Sequence, residues 1–115
     1  MIEIIDDESV SVAQLPRTAT DPSPVSDVDS TSFAQLARTV RQFHGDVIVA
    51  PYLVLGGTDA KHFTTLSQNV YRFNPILAEP DIMARFHGTN ERLSVDGYSS
   101  LVSFYAQLIR NSDQI

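Results

Sequence analysis

The chain has 115 residues, 43% of them apolar and 19% charged, with no cysteine and a formal net charge of −6. That length supports one domain around a modest core, and the lack of cysteine removes disulfide frameworks, thiolate metal sites and cysteine nucleophiles. The charge is uneven. Residues 1–30 hold seven acids against the single base Arg17, and the remainder is neutral with seven of each sign, so no basic face is available for phosphates and nucleic acid is not an expected partner. No apolar run approaches a membrane span and no signal-like segment opens the sequence. A cytoplasmic setting is compatible with this, and the compartment stays open.

In chain order, "IEIIDDE" is expected to start as a short strand and end in charge. "LPRTATDPSPVSDVDS", roughly residues 15–29, is rich in Pro, Ser, Thr and Asp and lacks any period; so long a connection marks a boundary or a functional segment. Asp29 and Ser30 are cap candidates for a helix with apolar residues at Phe33, Leu36, Ala37 and Val40, which is helical spacing. Gly45 ends it. The β-branched run that follows predicts a buried strand over Val47–Ala50, limited by Pro51. "GGTDAKHFTTLSQ" reads as a glycine turn into a short helix capped by Thr58 or Asp59. "VYRFNPI" is a second strand stopped by Pro75, and residues 78–92 read as loop. Ser94 caps a last helix with an apolar stripe at Tyr98, Leu101, Val102, Tyr105, Leu108 and Ile109, although Gly97 weakens its first turn. The order helix, strand, helix, strand, helix predicts an α/β fold with a parallel component.

Three polar stretches could carry chemistry. In "LGGTDAKHF", a Gly-Gly turn lets backbone approach a ligand closely, and Thr58 adds a hydroxyl; a plain turn with a Thr/Asp cap explains the same residues. In "HGTNER", His87 beside Asn90 and Glu91 suits a metal ligand with an oriented imidazole or a general base, or only a turn leading to the Ser94 cap. His44 and Asp46 have the H-x-D spacing of zinc ligands, but His44 falls at a helix end, where a cation suits the dipole. His62, between Lys61 and Phe63, reads as structural or solvated. No nucleophile elbow is present.

Taken together, "VAPYLVLGGTDAKHF", "NVYRFNPI" and "RFHGTNERLSVDGY…FYAQLIRN" resemble the C-terminal end of the dizinc metallopeptidases of family twenty. That family includes carboxypeptidase S, Gly-X carboxypeptidases, aminoacylases and acetylornithine deacetylase. The likeness is greatest to the carboxypeptidase S and N-acyl-amino-acid hydrolase branch, and it runs in register from about Asp21 to Asn111. It implies that residues 1–14 are the last strand of a lid domain, 15–29 the junction, and 30–115 the C-terminal segment of an α/β catalytic domain. It implies that His87 ligates one of two zinc ions, that Gly57 and Thr58 line the substrate pocket, and that Asp59, Asn90 and Glu91 orient or cap. Lys61 stands where relatives usually carry Arg, and a guanidinium is not replaced by an ammonium without loss of the bidentate contact.

The remaining ligands of such an enzyme, and the glutamate that activates the zinc-bound water, fall upstream of the lid; this chain has no Glu-Glu pair. The resemblance therefore implies a zinc-dependent hydrolase of peptides or N-acyl amino acids in the complete enzyme, with no catalytic residue in this chain and no activity expected of it alone. The other readings are a non-catalytic remnant, a complementing fragment, and a carboxylate- or phosphate-binding module built on the "GGTD" turn. An unpaired strand edge and apolar patch would favour self-association.

Overall fold

The computed structural model describes residues 5–13, 15–16 and 21–113. Residues 2–4 of the expected N-terminal strand and residues 17–20 of the junction lie outside the described residues. The order is a long helix α1 (Thr31–His44), a 3-10 turn (Asp59–His62), a single helical turn α2 (Ile82–Arg85) and a second long helix α3 (Val95–Ser112). The turn at α2 corrects the expectation of uninterrupted loop over residues 78–92. It forms because the Phe86 amide reaches back to the Ile82 carbonyl at 2.9 Å.

Both long helices start as the sequence indicates. The Ser30 hydroxyl accepts the Phe33 amide at 3.1 Å and the Ser94 hydroxyl accepts the Gly97 amide at 3.1 Å, each satisfying an amide that has no partner inside the helix. Gly45 closes α1 at φ 74° and donates to the Arg41 carbonyl, a conformation that disfavours any residue with a Cβ.

α1 and α3 pack on each other and run in opposite senses, since Thr39 meets Asn111 while Phe43, one turn further along α1, meets Phe104. Among the described residues, Ala37, Val40 and Phe104 are buried apolar side chains, and Pro75 is buried as well. Between them lies a polar network: the Asn111 amide donates to Thr39 Oγ1 and Gln42 Oε1, both at 2.8 Å, and Gln107 donates to Asn111 at 2.9 Å. Thr39 returns its own proton to the Gln35 carbonyl at 2.9 Å.

The stripe expected on α3 divides in two. Phe104 and Asn111, neither of them in that stripe, are the buried residues of the helix, with Leu101 and Leu108 of the stripe half-buried beside them, and this is the side that meets α1. Tyr98, Val102, Tyr105 and Ile109, a second row at helical spacing, remain exposed. One partner helix covers only one side of a helix that is apolar on two.

The segments expected as strands over 47–50 and 70–76 form neither helix nor strand, the described residues 5–8 of the expected N-terminal strand form no strand either, and no strand ladder occurs among the described residues. In "VIVA", Val47 and Val49 are half-buried while Ile48 and Ala50 are open, with Ile48 95% exposed; the period is that of a strand, without a neighbour to cover it. In residues 70–73 burial does not alternate, Val70, Tyr71 and Arg72 being half-buried and Phe73 37% exposed, but the contacts do. Tyr71 packs on Phe33 at 5.6 Å and Phe73 on Phe104 at 5.5 Å, both toward the helices, whereas Arg72 points the other way. Tyr105 donates to the Phe73 carbonyl at 3.4 Å.

The junction is fastened to this segment by side chains. Ser26 donates to the Val70 carbonyl at 3.1 Å and accepts the Val70 amide at 2.8 Å. The Asp27 amide bonds Asn69 at 2.8 Å, and the Tyr71 hydroxyl donates to the Asp27 carbonyl while bonding Ser30. The radius of gyration is 18.9 Å, against about 13 Å for a compact domain of ~100 residues. The consolidated part is the helix pair with residues 69–73 laid across it.

Candidate functional site

Two turns carry the residues that the sequence singled out. The first is at Gly57–Thr58. Thr58 caps the 3-10 turn by accepting the Ala60 amide at 3.3 Å, so Asp59 is the first residue of that turn and not its cap. The same Thr58 oxygen accepts Arg72 Nε at 3.2 Å, and Arg72 Nη2 donates to the Ser23 hydroxyl at 3.0 Å. Arg72 therefore joins three segments remote in sequence: the junction, the glycine turn and the extended segment 70–73. Gly57, Thr58 and Asp59 are all exposed.

The second turn holds His87. Arg85, only 9% exposed, is the anchor. Its Nη2 lies 2.6 Å from Glu79 and 2.8 Å from Asp81, and its Nη1 donates to the Arg92 carbonyl at 3.2 Å. Hydrogen bonding to Glu79 raises the affinity of this guanidinium for its proton above the ordinary arginine value; desolvation opposes this and the charge of Asp81 adds to it. Arg92 completes the brace by reaching Asp81 at 3.8 Å and donating to the Asn90 carbonyl at 3.1 Å. The loop is thus closed at both ends by arginines.

Within that brace, His87 and Asn90 adopt positive φ, 56° and 65°. For a residue with a side chain this region costs roughly 1–2 kcal/mol, although His and Asn enter it more readily than most. Gly88 is required by contact: a Cβ there would sit 2.8 Å from the Ala84 carbonyl oxygen and 3.3 Å from that of Arg85. The outcome is an exposed imidazole at the tip of a braced turn, with its ring 4.3 Å from that of Phe86. Asn90 and Glu91 are exposed as well.

No contact joins His87 to the Gly57–Thr58 turn, and no group of three or more His, Asp or Glu able to hold a metal occurs among the described residues. A zinc site needs three or four protein donors, so the donor set here does not make one and His87 supplies at most a single ligand. His44 lies in the last turn of α1 and Asp46 in the bend after Gly45, with no further donor brought to them. His62 ends the 3-10 turn. Arg72 and Arg85 were missed by the sequence reading. The Asp81–Arg85 spacing of four, typical of a helical ion pair, was the available signal for Arg85; nothing local marks Arg72.

No family model matches the chain, and no solved structure matches it. Curated proteins do. The chain is 37% identical over 111 residues to a probable carboxypeptidase S-like protein of Dictyostelium discoideum, covering 96% of this chain and 21% of that protein. It is 41% identical over 110 residues to an N-fatty-acyl-amino acid synthase/hydrolase of Xenopus tropicalis, covering 95% and 21%. To the Homo sapiens protein described in the same words it is 40% identical over 99 residues, covering 84% and 20%. The chain spans about a fifth of the length of these relatives. It belongs to metallopeptidase family twenty. Within that family its similarity is to the carboxypeptidase S-like and N-fatty-acyl-amino acid synthase/hydrolase proteins.

Proposed function

We propose that the chain is the C-terminal segment of the catalytic domain of a zinc-dependent hydrolase that cleaves peptide or N-acyl-amino-acid amide bonds. The similarity to carboxypeptidase S-like and N-fatty-acyl-amino acid synthase/hydrolase proteins over almost the whole chain carries this reading. In the complete α/β domain, the extended segments 47–50 and 70–73 pair with strands from outside this chain. His87 contributes one zinc ligand there, and the Gly57–Thr58 turn faces the substrate. Asp59, Asn90 and Glu91 shape the two turns. The bound metal supplies Lewis-acid activation of water; its other ligands and the general base come from elsewhere, so the isolated 115 residues are expected to hydrolyse nothing.

Zinc titration of the purified chain, native and His87→Ala, tests this. One imidazole gives loose binding, weakened further by the substitution. Tight binding that survives His87→Ala would remove His87 from the site and turn attention to His44 and Asp46.

A further inference from the structure

The turn that carries His87 is held in a form that costs stability. His87 and Asn90 both take positive φ, where a side chain is disfavoured and glycine is not. A turn that served only to join α2 to α3 could place glycine at both positions at no steric cost; here an imidazole stands at the first. The arginine that braces the turn carries a cost as well. Arg85 Nε is buried with no hydrogen-bond partner, and an unmet buried donor is destabilising. Outliers of this kind persist only where their surroundings over-determine them, and they gather at sites that present a group in a set geometry.

Arg85 supplies that over-determination, because its side chain spans the turn. Nη2 bonds Glu79 and Asp81, which precede His87, and Nη1 donates to the carbonyl of Arg92, which follows it. The Arg85 carbonyl accepts the Gly88 amide at 2.9 Å. Arg92, tied to the same Asp81, donates to the Asn90 carbonyl. Residues before, inside and after the turn are thus referred to one guanidinium. All of these bonds fall within residues 79–92, so the brace serves the turn and not the pairing of α1 with α3. We propose that Arg85 is a positioning residue for His87: it fixes the backbone of the turn so that the imidazole stands in one orientation before any metal arrives. Pre-set geometry of this kind is what a metal ligand requires of the residues around it. The proposal rests on the reading of His87 as a zinc ligand and deepens it, since the geometry of the ligand is then built into this chain and not imposed by the ion.

The test uses the full chain labelled with ¹⁵N and ¹³C. The intraresidue HN–Hα NOE is strong where φ is positive, and it is read at His87 and Asn90 before and after addition of zinc chloride; the His87 ring resonances report metal binding. In the native chain the NOE is expected to be the same in both conditions. Arg85→Gln should reduce the positive-φ population of His87 about tenfold, the preference of the backbone once nothing opposes it. Arg85→Lys, which keeps the charge without the fork, should restore part of it. Amides of α1 and α3 report whether each variant is folded. If Arg85→Gln does not fold, the same NOE is read in Asp81→Asn, which lacks the carboxylate that both arginines share. A native NOE that changes on zinc binding, or an unchanged NOE in a folded Arg85→Gln, would overturn the proposal. A His87 ring that does not respond to zinc overturns the zinc reading and this proposal with it; the NOE measured without metal tells the two failures apart.

Discussion

Phe104 is 1% exposed and touches the rings of Phe43, Phe73 and Tyr105, yet the buried residue about two turns further along the same helix is polar. Asn111 satisfies Thr39, Gln42 and Gln107 at once. Removing it takes one hydrogen bond from the buried Thr39 hydroxyl, which keeps its bond to the Gln35 carbonyl, and costs about 0.5–1.5 kcal/mol. Asn111→Ala should lower the urea midpoint accordingly. Arg85 acts on a smaller region. Arg85→Gln should raise hydrogen exchange at the Gly88 amide, which bonds the Arg85 carbonyl at 2.9 Å, by about tenfold through local opening, while α1 and α3 amides keep their protection. Spread of the effect into the helices would show that the His87 turn is not an independent unit. These residue-scale facts were only partly legible in sequence. His87, Gly57 and Thr58 stand out by type and neighbours, but the partners that fix them, Arg85 and Arg72, are ordinary residues whose importance arises from contacts up to 49 positions away.

At the scale of elements, helix starts and stops were the most readable feature, since a serine cap or a C-terminal glycine acts within a few residues. Ser30, Gly45 and Ser94 all behave as their sequence context indicates. Gly97 shows where local reasoning stops short. As a helix-interior glycine it costs about 1 kcal/mol relative to alanine, but a Cβ there would lie 2.9 Å from Ser94 Oγ, the very atom that caps the helix. Gly97→Ala should therefore change stability little, because the propensity gained is offset by a cap worth about 1 kcal/mol. A full gain in thermal midpoint would mean that the cap shifts without loss. The side of α3 that packs was less legible than the helix itself. Its stripe is wide enough for two neighbours, and only the position of α1 determines that Phe104 and Asn111 turn inward. The strand segments are the hardest case: β-branched runs announce extended backbone, but pairing depends on partners that the sequence of the segment does not contain.

For the whole molecule, the exposed row Tyr98, Val102, Tyr105 and Ile109, together with Ile48, Tyr52 and Leu55 in the extended run, leaves much apolar surface facing water. Patches of this extent drive association. Sedimentation at tens of micromolar should show concentration-dependent self-association of the isolated chain, and a single monomeric species would contradict it. One part of that surface is nevertheless protected. A single hydroxyl, that of Ser26, occupies both the amide and the carbonyl of Val70, the two groups through which an incoming chain would add itself to that side of the segment. Ser26 works as a stopper against templated strand addition at the point where the extended backbone is otherwise most inviting. Replacing it with alanine would cost the fold little bulk but would open a docking track for other copies, so Ser26→Ala should turn reversible association into ordered, thioflavin-positive aggregation.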